Sequence, residues 1–252
     1  MTTVQDIVRF LDSIAPFDTQ EAWDNSGFLI GCAAQEVTAA ALALDVTNET
    51  VRQAKAAGAQ LLISHHPVIF RPLKAVKAND PVYELIAAGL SAVCAHTNLD
   101  AAQGGVNDCL AQLLGLTEVE PLPVPSSESL LRRGKLPKEM TARDFGALVG
   151  KALGSPAAVA DGGKPICTVA VCGGAGGDFI GEVAGLADAF VTGEAKHHEL
   201  LLARQLGLTV AAAGHFETEN PVIAPLAQRL SEQFPNVVFQ VLDQPNPVFY
   251  CR

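Results

Sequence analysis

Charged side chains are scarce, with Asp, Glu, Lys and Arg making up 17% of the 252 residues, where a globular chain usually has about a quarter. Much of the surface is therefore expected to lie inside the fold or inside an oligomer. Positive charge is the scarcer sign, 17 basic against 27 acidic residues for a net charge of −10, which argues against a broad nucleic-acid-binding face. No apolar run approaches the ~20 residues that span a bilayer; even AALALDV is stopped by Asp45 and Asn48. None of the six cysteines (Cys32, Cys94, Cys109, Cys167, Cys172, Cys251) forms a CxxC, and a chain this long needs no disulfide framework. Reduced thiols and a cytoplasmic location are expected. Residues 1–13 lack the basic head and continuous apolar stretch of a signal peptide and read as a mature helix. There is no GxSxG elbow, no cysteine–histidine nucleophile spacing and no repeat of fixed period, so the common covalent hydrolases and the solenoids are set aside.

What is present is an alternation of short apolar runs with amphipathic stretches. Strands are expected at 39–46, 60–64, 91–95, 168–172, 189–192, 209–213 and 236–242, most of them apolar throughout, as strands covered on both faces are. Helices are expected at 49–57, 81–88, 105–114, 142–153, 195–206 and 220–234, with caps at Thr47-Asn48 and Asp80-Pro81 and glycine stops at Gly58, Gly89 and Gly207. The fold class is thus α/β, with mostly parallel sheets. Proline and serine concentrate between about 118 and 138 and break the periodicity. That places a boundary there: residues 1–120 with 191–252 as the main domain and 121–190 as a smaller middle segment, unless the whole is a single domain.

All six histidines fall beside other metal-type residues. His65 and His66 follow the run 60–63 in SHHP, where Pro67 stops the strand. His96 follows the strand at 91–95 in HTNLD, with Asp100 four residues on. His215 follows the strand at 209–213 in GHFETE, with Glu219 four residues on. In a mostly parallel sheet, ligands bind outside the carboxyl ends of the strands, where loops from several strands converge. A pair four apart spans one helical turn and could reach one ion if the chain coils straight after the strand. Imidazole with carboxylate suits zinc, manganese, iron or similar ions. The set exceeds one ion's needs, so two divalent ions are expected, about 3.5–4 Å apart, as in sites that activate a water. In GEAKHHE, with Glu194, His197 and His198, a solvated helix start and a supporting role both remain open.

Other features speak more softly. The glycine run 173–177 resembles a phosphate-cradling loop but lacks the dinucleotide spacing and the Walker lysine, so it reads first as a tight turn. Arg71, Lys74 and Lys77 in FRPLKAVK, and Arg132, Arg133 and Lys135 in LRRGK, either meet an anionic substrate or form solvated faces. Trp23, the only tryptophan, opens WDNSG and reads as core packing beside a turn made by Asp24, Asn25 and Gly27.

The phrases WDNSGFLIG (23–31), SHHP (64–67), HTNLDAA (96–102), VTGEAKHHE (191–199) and GHFETE (214–219) together resemble the Nif-three-like family, also called GTP cyclohydrolase I type 2 homologues. The resemblance spans nearly the whole chain, with SHHP and GHxxxE its specific part. It implies an αβα sandwich, a toroidal homohexamer and a dinuclear centre held by His65, His66, Asp100, His215 and Glu219, the last bridging. It also places His96, His198 and Glu194 around the same cavity, in second-layer, proton-transfer or substrate roles. The implied activity opens the imidazole ring of GTP to give formate and dihydroneopterin triphosphate, with Arg132, Arg133 or Lys74 holding the triphosphate. A dinuclear phosphoester or nucleotide hydrolase, and a non-catalytic metal-handling or interaction protein, are the competing expectations.

Overall fold

A strand apolar on both faces must be covered on both faces, and the segments Leu61–Ser64, Ser91–Cys94 and Ala189–Thr192 are buried at every position. They belong to two mixed sheets flanked by helices in the computed structural model, which describes residues 1–249. Along the chain run α1 (Val4–Ile14), β1 (Gly27–Ile30), β2 (Ala39–Ala43), α2 (Asn48–Ala56), β3 (Leu61–Ser64), α3 (Pro81–Ala88), β4 (Ser91–Cys94), α4 (Thr97–Ala101), α5 (Val106–Leu113), β5 (Thr117–Pro121) and β6 (Arg132–Met140). Then follow α6 (Ala142–Leu153), β7 (Ala158–Ala160), β8 (Ile166–Cys172), α7 (Ile180–Val183), β9 (Ala189–Thr192), α8 (His197–Leu206), β10 (Thr209–Ala212), α9 (His215–Glu219), α10 (Ile223–Gln233) and β11 (Val238–Val241).

The chain divides into two compact units. The first comprises Met1–Gln103 and Val222–Pro245 and holds a sheet of order β1-β4-β3-β2-β11. Its strands are parallel except β1, which pairs antiparallel with β4. Ala41, Ala43, Leu62 and Ala92 of this sheet pack with Val51 and Ala54 of α2 and Leu85 of α3. Capping fixes where these helices begin: Thr3 accepts from the Asp6 amide and Asp6 accepts from the Thr3 amide at α1, and Thr47 pairs likewise with Thr50 at α2. Gly89, left-handed at φ 70°, ends α3.

The second unit comprises Gly104–Pro221 and residues 246–249, with a sheet of order β5-β6-β8-β9-β10-β7. Here β8, β9 and β10 run parallel, and the pairs β5–β6, β6–β8 and β10–β7 are antiparallel. Phe145 and Val149 of α6 and Leu110 of α5 are fully buried against Val169, Val171 and Val191; burying a side chain of that size contributes about 1.5–3 kcal/mol.

The two units meet along the chain at 103/104 and 221/222, so the proline-rich stretch at 118–138 lies inside the second. The reason is strand pairing: β5 and β6, in the proline-rich stretch, join β8, and β10 joins β9, so all belong to one sheet. Pro137 lies where the β6–β8 register shifts, between Lys135 and Met140, as expected of a residue with no amide hydrogen to give a ladder. Among the described residues no helix is long and apolar enough to cross a membrane. None of the five described cysteines is in a disulfide; Cys251 lies outside the described residues.

Candidate metal centre

In the first unit, β3 and β4 are parallel neighbours, and their carboxyl ends deliver His65, His66 and His96 to one place. Ring centroids are 5.0 Å apart for His65–His66, 5.2 Å for His65–His96 and 5.4 Å for His66–His96. One nitrogen from each lies within 4.8 Å of the other two, an arrangement able to hold a metal ion. The chain then coils into α4, which places Asp100 Oδ1 3.6 Å from His65 Nε2.

The imidazoles are oriented by oxygen acceptors. His65 Nδ1 lies 2.9 Å from the carbonyl oxygen of Ala95. His66 Nδ1 is 2.7 Å from Asp45 Oδ1, and His96 Nδ1 is 2.7 Å from Asp24 Oδ1. A carbonyl or carboxylate oxygen only accepts, so each Nδ1 carries the hydrogen and donates, and in the neutral ring Nε2 is then the nitrogen with the lone pair. This is the tautomer a metal requires, with the acceptor acting behind the ligand to fix the ring and raise its basicity.

Asp24 is a built-in part of this arrangement. Its side chain is fully buried and accepts from His96 Nδ1, from the Thr97 hydroxyl and amide, and from the Asn25 amide. Burial opposes its ionisation most strongly, yet the bonds from His96 and Thr97 outweigh burial and hold the carboxyl well below the usual range. Burial, with the charges of Asp24 and Asp100, pushes the Cys94 thiol up; it stays protonated and donates to the His65 carbonyl oxygen at 2.9 Å. Trp23 is not in the core but 59% exposed, because the turn it opens turns inward at Asp24 instead.

In the second unit, Gly214 at φ 99° turns the chain from β10 into α9. One turn later Glu219 returns beside His215, with His215 Nε2 3.0 Å from Glu219 Oε2, while His215 Nδ1 lies 3.1 Å from Glu194 Oε1. Glu219 is 4% exposed. The glycine run 173–177 serves this geometry. A Cβ at Gly174 (φ 63°) would overlap Glu219 Oε1 and come within 3.2 Å of His215 Nε2. Three of its amides are already used: Gly173 donates to Asn107, Gly174 to Thr218 and Gly176 to Thr192. The loop is a close-approach turn rather than a phosphate cradle.

These donor sets fit a divalent transition metal, since imidazole nitrogens in the ligating tautomer stand with carboxylates and no thiolate. The remaining residues expected at the site are more dispersed. His198 opens α8 with its side chain 77% exposed, 3.9 Å from Glu199. Arg132 is buried, its guanidinium held by Asp108 and the carbonyls of Ser129 and Leu131. Arg133 pairs with Glu120 across β5–β6 and reaches the Leu186 carbonyl. Both arginines thus have structural contacts within the second unit, whereas Lys74 lies on the exposed stretch between β3 and α3. Sequence reasoning missed Asp24 and Asp45 as orienting groups. The signal available was Asp45 at the end of a buried strand, where a solvated carboxylate is out of place.

Residues 2–247 match the family model described as Duf34/NIF3 (NGG1p interacting factor 3). The chain belongs to that family. Among DUF34/NIF3 relatives, it is 32% identical over 240 residues to a Clostridium perfringens protein named GTP cyclohydrolase 1 type 2 homolog, covering 91% of this chain and 92% of the relative. A Streptomyces coelicolor protein of the same name is 34% identical over 247 residues, covering 92% and 87%. A solved structure of a hypothetical protein from Staphylococcus aureus superposes with a TM-score of 0.91 at 28% identity, covering 99% of each chain. A Bacillus cereus protein related to NIF3, at 24% identity, shares the fold with a TM-score of 0.92 over 100% of this chain and 99% of its own. The Nif-three-like resemblance read from SHHP and GHxxxE is thereby confirmed.

Proposed function

We propose that the chain is a metal-dependent hydrolase of a small nucleotide-like substrate, with the conversion of GTP and water to dihydroneopterin triphosphate and formate as its leading reaction. His65, His66, Asp100, His215 and Glu219 would hold two divalent ions of the zinc, manganese or iron type, the ligand set that the family resemblance implies. The observation that supports this reading is the common orientation of four imidazoles, each with Nδ1 directed at an oxygen acceptor, which in the neutral ring makes Nε2 the ligating nitrogen. The name borne by the relatives supports the substrate class.

When bound, such ions activate a water and polarise the carbon it attacks. The chain's own groups do the rest. Asp45 and Glu194 hold His66 and His215 in the ligating tautomer. His96, fixed by Asp24, presents Nε2 to take up a proton, and Lys74 meets the phosphate tail. The reading includes assembly as a toroidal homohexamer in the cytoplasm, which the low charged fraction and the exposed Leu201, Leu202 and Leu206 of α8 fit.

The test is to incubate metal-loaded protein with GTP and follow formate and pterin fluorescence. Turnover absent from Glu219→Ala, and reduced on the order of 100-fold in a His96→Gln variant that keeps its metal, supports the reading. No turnover above the Glu219→Ala control sinks it.

A further inference from the structure

The first unit leaves its only tryptophan outside. Trp23 is 59% exposed and Phe70 43% exposed, although the fold buries Phe145 and Phe190 completely. Their ring centroids are 5.9 Å apart at 55°. Both also meet His96 near edge-on, at 6.1 and 6.3 Å. The pair is held in place rather than trailing in a loop: Asp24, next to Trp23, is tied to His96 and Thr97, and Asn25 Nδ2 donates to the Ile69 carbonyl, next to Phe70.

The segment that follows Phe70 has its own pattern. Arg71, Lys74 and Lys77 recur at three-residue spacing, all exposed, and residues 67–79 contain no carboxylate. In a chain of net charge −10 this is a concentrated patch of positive charge, adjoining an aromatic pair that adjoins a histidine cluster. Aromatic faces accept planar rings, and arginine and lysine accept phosphate or carboxylate.

We propose that Trp23 and Phe70 form a stacking subsite for a planar heteroaromatic ring bearing an anionic group, the ring lying beside His96 and the anion meeting Arg71, Lys74 and Lys77. The inference rests on the reading of the His96 neighbourhood as the reaction centre, and it names two residues that reading does not use. A second copy of the chain laid over the same rings is the rival occupant; the cationic run beside them, in an acidic protein, favours the anion.

Because Trp23 is the only tryptophan, its fluorescence reports this place alone. The experiment titrates the full chain, as purified and again after chelator treatment, with GMP, with ribose 5-phosphate, which has no ring, and with guanosine, which has no anion. Quenching by GMP and guanosine but not by ribose 5-phosphate is expected in both preparations. Calorimetry on Phe70→Ala and Phe70→Leu should show GMP affinity down by about 10-fold for Ala, with thermal midpoint and metal content unchanged. Lys74→Gln should weaken GMP and spare guanosine. GMP binding that Phe70→Ala leaves untouched, or emission that follows protein concentration and ignores GMP, overturns the subsite. Retained GMP stacking in a protein that never holds metal would instead count against the hydrolase reading and leave the subsite standing.

Discussion

His215 Nε2 stands 3.0 Å from Glu219 Oε2 across a single turn of α9. With Nδ1 of the same ring 3.1 Å from Glu194 Oε1, a cation at this pair would be held by both Nε2 and the carboxylate, as the proposed centre requires. Gly174 makes room for this pair, since a Cβ there would meet Glu219 and approach His215. A Gly174→Ala variant also has to adopt φ 63°, costing about 1–2 kcal/mol. The expected outcome is a lower thermal midpoint together with reduced metal occupancy. Unchanged occupancy would show that the turn does not shape the donor set.

The acceptors behind the imidazoles make a separate prediction. Asp45 receives His66 Nδ1 at 2.7 Å and is itself held by Gln244. Asp45→Asn keeps the shape and removes the charge, so metal affinity should fall about 10- to 100-fold, measured by competition with a chelator of known affinity. Wild-type affinity in that variant would mean His66 is not a ligand.

Those acceptors also mark the limit of what the sequence discloses. The strands β2, β3, β4, β8, β9 and β10 are legible because continuous burial forces continuous apolarity, and His215 with Glu219 is legible because one helical turn separates them. Asp24 and its partner His96 are 72 residues apart, and no local pattern distinguishes a buried acceptor from an ordinary turn residue. β5 is exposed at every position and is held by the pairs Glu118–Lys135 and Glu120–Arg133. A charged edge strand has no apolar alternation to read, so the sequence pattern does not disclose it.

Arg132 offers a contrast between binding and stability. Its side chain is 5% exposed, with Nε 2.5 Å from Asp108 Oδ1. Arg132→Ala removes a buried guanidinium and its charge-assisted bond to the partly exposed Asp108, so it should destabilise by about 1.5–3 kcal/mol. Arg133→Ala, breaking an exposed pair, should cost less than about 1 kcal/mol. Denaturant unfolding of both variants checks this; equal, small effects would return Arg132 to the list of substrate contacts.

Acid should weaken the second unit through Asp188. Burial pushes its carboxyl up, but the Thr168 amide and hydroxyl and the Cys167 amide, all donating to it at 2.8–3.0 Å, hold it below the usual carboxylate range. A depressed folded pKa contributes stability that is complete above the unfolded value of about 3.9 and is lost as pH falls through the folded value. Asp188→Asn should therefore be less stable than wild type at pH 6, with the gap closing toward pH 3. A gap independent of pH would mean the carboxylate's charge plays no part.

On the proposed function, His65, His66, Asp100, His215 and Glu219 would hold two divalent ions. Elemental analysis of purified protein, wild type beside the His65→Ala, Glu219→Ala double variant, tests it most directly. About two ions per chain are expected in the wild type and none in the variant. A wild type that comes without metal and also resists reloading would contradict it, and with it the hydrolase built upon it.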